Sequence, residues 1–141
     1  MTMLRVGDLM TDQIVSIKVD ETAERLYEIM DQQHVRHVPV VDDDEVLIGI
    51  VSQRDLLPAL LALDLGRARN PLILSDYMKD VKVADILTEW VDTISPDDSA
   101  SDAGKLMLQN KYGCLPVVED NRLVGIITEA DYVRHIVENF E

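Results

Sequence analysis

The sequence predicts an α/β fold made of two copies of one small unit, each running strand, helix, strand, strand, helix. Three observations carry this expectation: the 141-residue chain aligns with itself, apolar spacing switches between strand and helix periods at matching places in both copies, and one short motif recurs near each copy's end. The self-alignment has an offset of 77, which pairs Val6/Val83, Asp8/Asp85, Thr11/Thr88, Ile17/Ile94, Asp20/Asp97, Ala23/Ala100, Met30/Met107, Gln32/Gln109 and Pro39/Pro116. Past Val118 one residue drops out, and the offset of 76 then pairs Leu47/Leu123, Gly49/Gly125, Ile50/Ile126 and Asp55/Asp131. A loss of that kind belongs in a turn, and residues 42–45 (DDDE) and 119–121 (EDN) have turn composition.

Taken in order, Ile14–Ile17 and Val91–Ile94 are short β-prone runs, each followed by an aspartate, Asp20 or Asp97, placed to cap a helix. The helix that follows has Ala23, Leu26, Tyr27 and Met30 on one stripe in the first copy and Ala100, Ala103, Gly104 and Met107 in the second. Gly104 weakens its helix by up to about 1 kcal/mol relative to alanine. Val38–Val41 with Leu47–Val51, and Leu115–Val118 with Leu123–Ile127, read as hairpins. A second helix starts at Ser52 or Thr128. Its apolar residues are Leu56, Leu57, Leu60, Leu61 and Leu63 in the first copy, with a kink or late start expected at Pro58 and a cap near Gly66. In the second they are Tyr132, Val133, Ile136, Val137 and Phe140. The copies span residues 1–66 and 83–141, joined by a connector at 67–82 that contains Asn70-Pro71. A unit of about 60 residues is marginal alone, so stacking the copies about a pseudo-twofold axis is expected to stabilise both.

Composition narrows the function. Formal net charge is −14, from 27 acidic against 13 basic residues, and such a field repels nucleic acid and anionic membrane surfaces. Aromatic residues make up only 4%, so the core must be aliphatic. Cys114 is the only cysteine, which excludes an intrachain disulfide. The opening MTMLRVGDLMTD lacks the apolar segment of a signal peptide, and no apolar run approaches the roughly 20 residues of a transmembrane helix, so the cytoplasm is the expected compartment.

The recurring motif is Gly49-Ile50-Val51-Ser52-Gln53-Arg54-Asp55 and Gly125-Ile126-Ile127-Thr128-Glu129-Ala130-Asp131, with an apolar-apolar-hydroxyl core and an acid three residues on. Strand gives way to helix at the hydroxyl residue, where amide donors and the positive end of the helix dipole favour phosphate. Ser52 or Thr128 can donate to a phosphate or ribose oxygen, and Asp55 or Asp131 can accept from both hydroxyls of a ribose. Ser-x-x-Asp and Thr-x-x-Asp are also near-matches to a capping box, so the same residues have a purely structural use.

Together with His37-Val38-Pro39-Val40 and Cys114-Leu115-Pro116-Val117, these segments resemble the cystathionine β-synthase-type (CBS) domain pair, or Bateman module, across residues 6–57 and 83–133. The resemblance implies a tandem CBS fold that binds adenine nucleotides (AMP, ADP or ATP) or S-adenosyl compounds in clefts between the repeats, as effector and not as required cofactor. It places the base against the backbone at His37, Val38 and Pro39 and at Cys114, Leu115 and Pro116, with Ser16 and Thr93 nearby. The copies differ in cation content: Arg36, His37 and Arg54 in the first correspond to Gly113, Cys114 and Ala130 in the second. A phosphorylated end is therefore expected near Arg36 and Arg54, and adenosine or a weakly charged adenosyl compound at the second motif.

Catalysis is not expected. No nucleophile elbow, Walker loop or dinucleotide-binding glycine motif occurs, and the six glycines are scattered. His34, His37 and Cys114 lack metal-site spacing, so no metal is expected. The expectation is a regulatory module that forms a homodimer through its second helices and acts on a separate target protein. The alternative is a ligand-independent adaptor of the same fold that dimerises or docks onto a partner.

Overall fold

The computed structural model describes residues 3–56, 78–89 and 91–140. Leu57, Leu60, Leu61 and Leu63 of the first copy's second helix, with Pro58, Gly66 and most of the connector, lie outside these residues. The described elements are α1 (Val6–Leu9), α2 (Ala23–Gln33), β1 (His37–Val41), β2 (Leu47–Ser52), a 3-10 turn (Val83–Asp85), α3 (Ala100–Asn110), β3 (Cys114–Glu119), β4 (Arg122–Thr128) and α4 (Glu129–Asn139). Residues 53–56 are helical directly after β2. The chain forms two compact units, Val15–Val91 in one and Met1–Ile14 with Asp92–Glu141 in the other.

The hairpins form as the sequence predicts. β1 and β2 are antiparallel with His37 opposite Ser52 and Pro39 opposite Ile50; β3 and β4 match them with Cys114 opposite Thr128 and Pro116 opposite Ile126. The dropped residue is a difference in turn type. Asp120 and Asn121 make a two-residue turn with φ of 52° and 67°, the left-handed pair of a type I′ turn. In the first copy three residues, 43–45, make the reversal: the Asp42 carboxylate accepts from the amides of Asp44 (2.8 Å) and Val46 (3.0 Å), and Glu45 takes the positive φ of 66°. The second turn places Asp and Asn, which tolerate the left-handed region, at its positive-φ positions, whereas the first places a glutamate there.

The leading β-prone runs shrink to single parallel bridges, Ile17 to Val40 and Ile94 to Val117. The helix caps also differ from expectation. Thr22 and Ser99, not Asp20 and Asp97, cap α2 and α3, their hydroxyls accepting from the amides of Arg25 and Asp102. The reason is tertiary: Thr22 bridges Lys82 and Ser99 bridges Arg5, so both cap residues are held extended and the helices start two residues later than local sequence indicates. Both helices end in left-handed residues, His34 and Lys111, which occupy equivalent places in the repeat. α2 buries Ala23, Leu26, Ile29 and Met30, leaving Tyr27 half exposed, so Ile29 replaces Tyr27 on the expected stripe.

Those bridges belong to a reciprocal exchange. In one unit the Val6 amide donates to Asp98, Gly7 to Pro96, and Thr11 exchanges both backbone bonds with Ile126. In the other Val83 donates to Glu21, Ala84 to Val19, and Thr88 exchanges both with Ile50. The segment that leads each sequence copy thus folds with the hairpin and helix of the other copy, closing the outer edge of β4 or β2. Two aliphatic cores result. Ile17, Leu26, Val38, Val40, Val51 and Val83 lead one; Val6, Ala103, Leu115, Val117 and Ile127 lead the other. Gly104 lies in α3 where a Cβ would meet the Tyr132 ring at 3.4 Å, and the Tyr132 hydroxyl donates to the Ala100 carbonyl at 2.7 Å.

The edge pairing explains the glycine of each motif. A Cβ on Gly49 would stand 2.4 Å from the Thr88 carbonyl oxygen, which is backbone, whereas one on Gly125 would chiefly meet the flexible end of Met10 at 2.7 Å. Gly49→Ala is expected to cost roughly 1–3 kcal/mol in urea unfolding, and more than Gly125→Ala; equal costs would contradict the contact. Cys114 is buried in β3, and burial pushes its thiol up to about 12. Its unfolded thiol ionises at a lower pH, so this contribution to stability is present below about pH 8.5 and is lost as pH rises toward the folded value. Iodoacetamide at pH 8 is expected to label Cys114 only after unfolding; rapid labelling of the native chain would contradict its burial.

Candidate functional site

Each strand-to-helix junction gathers the predicted residues of its own copy. In the first, the Ser52 amide and hydroxyl both donate to Asp55 Oδ2 at 2.9 Å, and the Asp55 amide donates back to the Ser52 hydroxyl at 3.2 Å. The Gln53 amide donates to the Arg36 carbonyl at 2.9 Å, which ties the entry of β1 to the helix start. With His37 opposite Ser52, residues 36, 37, 52, 54 and 55 meet at one end of the hairpin. The Ile17 amide donates to the Pro39 carbonyl at 3.0 Å, which sets Ser16 level with Pro39.

The second junction repeats this. The Thr128 amide and hydroxyl donate to Asp131 Oδ2 at 2.8 and 3.2 Å, the Glu129 amide donates to the Gly113 carbonyl at 3.2 Å, and Cys114 stands opposite Thr128. Ile94 donates to the Pro116 carbonyl at 3.1 Å, setting Thr93 level with Pro116. The capping reading of both motifs is therefore realised. Several first-turn donors are consumed internally, so the cationic side chains carry more of any anion recognition than the helix start does.

The side chains divide by exposure. Arg36 and Arg54 are exposed, and neither is ion-paired among the described residues. Ser16, His37, Ser52, Asp55 and Thr128 are partly exposed, and Thr93 is exposed. Val38, Pro39, Cys114, Leu115 and Pro116 are buried, with Val38 and Leu115 in the two cores, so these five offer no exposed side chain. Asp131 is 2% exposed and takes two further donors, the Thr11 hydroxyl at 3.3 Å and Arg134 Nη1 at 3.0 Å. Burial, then the charge of Asp131, raises the neighbouring Tyr132 phenol. Sequence reasoning paired Thr11 with Thr88 but gave neither a role, and it missed Arg134, whose signal was its place one helical turn after Asp131.

Among the described residues no group of three or more His, Cys, Asp or Glu side chains could hold a metal ion, and no helix is long and apolar enough to cross a membrane. Val133, Ile136 and Val137 on α4, and Phe140 just past its end, are each more than half exposed.

Comparison with known proteins identifies the family and the fold. The uncharacterized protein MJ1225 of Methanocaldococcus jannaschii is 28% identical over 92% of this chain, which spans only 41% of that relative's length. Among solved structures, the AcuB protein of Vibrio cholerae is 31% identical with a TM-score of 0.83, covering 97% of this chain and 93% of its own. CBSX2 of Arabidopsis thaliana, crystallised in complex with AMP, is 33% identical with a TM-score of 0.77, covering 95% of this chain and 96% of its own. The CBS domain family matches residues 6–62 and 75–138, one match on each sequence copy, and the chain belongs to that family as a tandem pair of CBS domains.

Proposed function

We propose that this chain is a regulatory sensor of an adenosine-containing ligand, AMP, ADP, ATP or an S-adenosyl compound, and that it catalyses no reaction itself. The observation that carries the reading is the Ser52–Asp55 junction: a hydroxyl and a partly exposed carboxylate sit at the same end of the hairpin as two exposed arginines, Arg36 and Arg54, that no described carboxylate neutralises. A ribose diol suits the carboxylate, and a phosphate suits Arg36 and Arg54. Ser16, His37 and the backbone of Val38 and Pro39 complete the first half-site; Thr93, Thr128, Asp131 and the backbone of Cys114, Leu115 and Pro116 form its counterpart. The AMP complex of CBSX2 supports an adenine nucleotide as ligand.

The signal passes to another protein, in the cytoplasm, by the ligand's preference for one arrangement of the chain over another. The exposed Val133, Ile136, Val137 and Phe140 favour self-association through α4. The same face favours a second reading, in which the chain is an adaptor that docks through α4 and uses no nucleotide.

Thermal unfolding separates the two readings. AMP, ATP and S-adenosylmethionine are the panel, and a true ligand at a hundred times its Kd stabilises the native chain by about 2.7 kcal/mol, a rise in Tm of roughly 5–10 °C. No movement with any of the three at saturation leaves the adaptor. For Arg54→Ala the AMP affinity is expected to fall roughly tenfold or more, from loss of a charge-assisted hydrogen bond, while adenosine binding holds within about twofold. An unchanged AMP titration would remove the phosphate from Arg54.

A further inference from the structure

The two half-sites share a motif, but their carboxylates are engaged differently. A carboxylate offers about four lone-pair positions, and Asp131 uses all of them: Oδ2 accepts the Thr128 amide and hydroxyl, and Oδ1 accepts the Thr11 hydroxyl and Arg134. Its side chain is 1% exposed, while Arg134 above it is 56% exposed and faces solvent. A ribose hydroxyl must approach an acceptor to about 2.8 Å, and no surface of Asp131 is open for that approach.

Asp55 has the same capping bonds on Oδ2, yet remains partly exposed and has no ion-pair partner among the described residues. The repeat shows why. The counterpart of Thr11 is Thr88, which is exposed and makes no side-chain bond to Asp55. The counterpart of Arg134, at the offset of 76, is Pro58, which has no side-chain donor at all. Both elements of the seal are thus particular to the second copy. All four groups around Asp131, including Thr11 from the exchanged lead-in segment, belong to one compact unit.

We propose that Thr11 and Arg134 seal the Asp131 half-site, and that the chain binds one adenosine-containing ligand, at Asp55. The second motif is a latent site that opens only when Asp131 is released. This inference rests on the adenosyl-sensing function proposed above.

The test is isothermal titration of the full chain with AMP and with adenosine, and far-UV circular dichroism on every variant. The wild type is expected to take one ligand per chain. Asp55→Asn is expected to weaken AMP at least tenfold, and the double variant Thr11→Val/Arg134→Ala to raise the adenosine stoichiometry from one to two. Two ligands per wild-type chain, or a single site that survives Asp55→Asn undiminished, would overturn the assignment of the open half. A stoichiometry still of one in the folded double variant would overturn the seal. If Asp55→Asn does not fold, the wild-type stoichiometry and the double variant still decide the matter. Absence of binding by the wild type to either compound removes the sensing function itself, an outcome distinct from the others because it precedes any variant.

Discussion

The structure depends on one backbone pairing made twice: Thr11 with Ile126, and Thr88 with Ile50. A two-stranded hairpin is marginal in water, and its outer edge offers unpaired amides and carbonyls. The lead-in segment covers that edge, and a bridge from Ile17 or Ile94 covers part of the opposite one. The same pairing positions the chemistry. It brings Thr11 within reach of Asp131, while the same lead-in segments, through Lys82 and Arg5, hold Thr22 and Ser99 extended and so set where α2 and α3 begin. Gly49 and Gly125 follow from it, because a side chain at either would intrude on the covering segment.

Much of this was legible because it is local or periodic. Alternating apolar residues around an acidic turn specify a hairpin, and the acid three residues after Ser52 or Thr128 specifies a capped helix start. The shift of one residue between copies correctly marked a turn, and only its chemistry, a type I′ turn against a three-residue loop, needed coordinates. The errors share one cause. Asp20 and Asp97 are good cap residues by local rule, but a bridge from a distant segment fixes the backbone two residues later, and no local pattern encodes the partners, Lys82 for Thr22 and Arg5 for Ser99. Tyr27 and Ile29 differ from expectation too: both fit a helical stripe, and the core formed with Ile17, Val38 and Val83 takes Ile29 and leaves Tyr27 half exposed.

The candidate site was legible in kind and not in state. The sequence marks the hydroxyl–acid pairs and the basic residues confined to the first copy, but it cannot report how many donors a carboxylate has gathered. Asp55 and Asp131 are identical in motif, and they differ because residues outside the motif, Thr11 and Arg134, converge on one and not on the other. Duplication preserves the parts of a site that also cap a helix, since losing them destabilises the fold. Positions with no capping role are free to drift, and Arg54 and Ala130 differ at one of them.

The exchange of lead-in segments bears on ancestry. Two identical single-copy chains that traded their opening arms would make every one of these edge bonds between molecules, with no need for a duplicated sequence. Fusing two such genes end to end changes the covalent path and keeps each contact, so the tandem form inherits an intermolecular handshake as an intramolecular one. Severing the chain between its repeats would accordingly yield two fragments, each carrying the arm that completes the other.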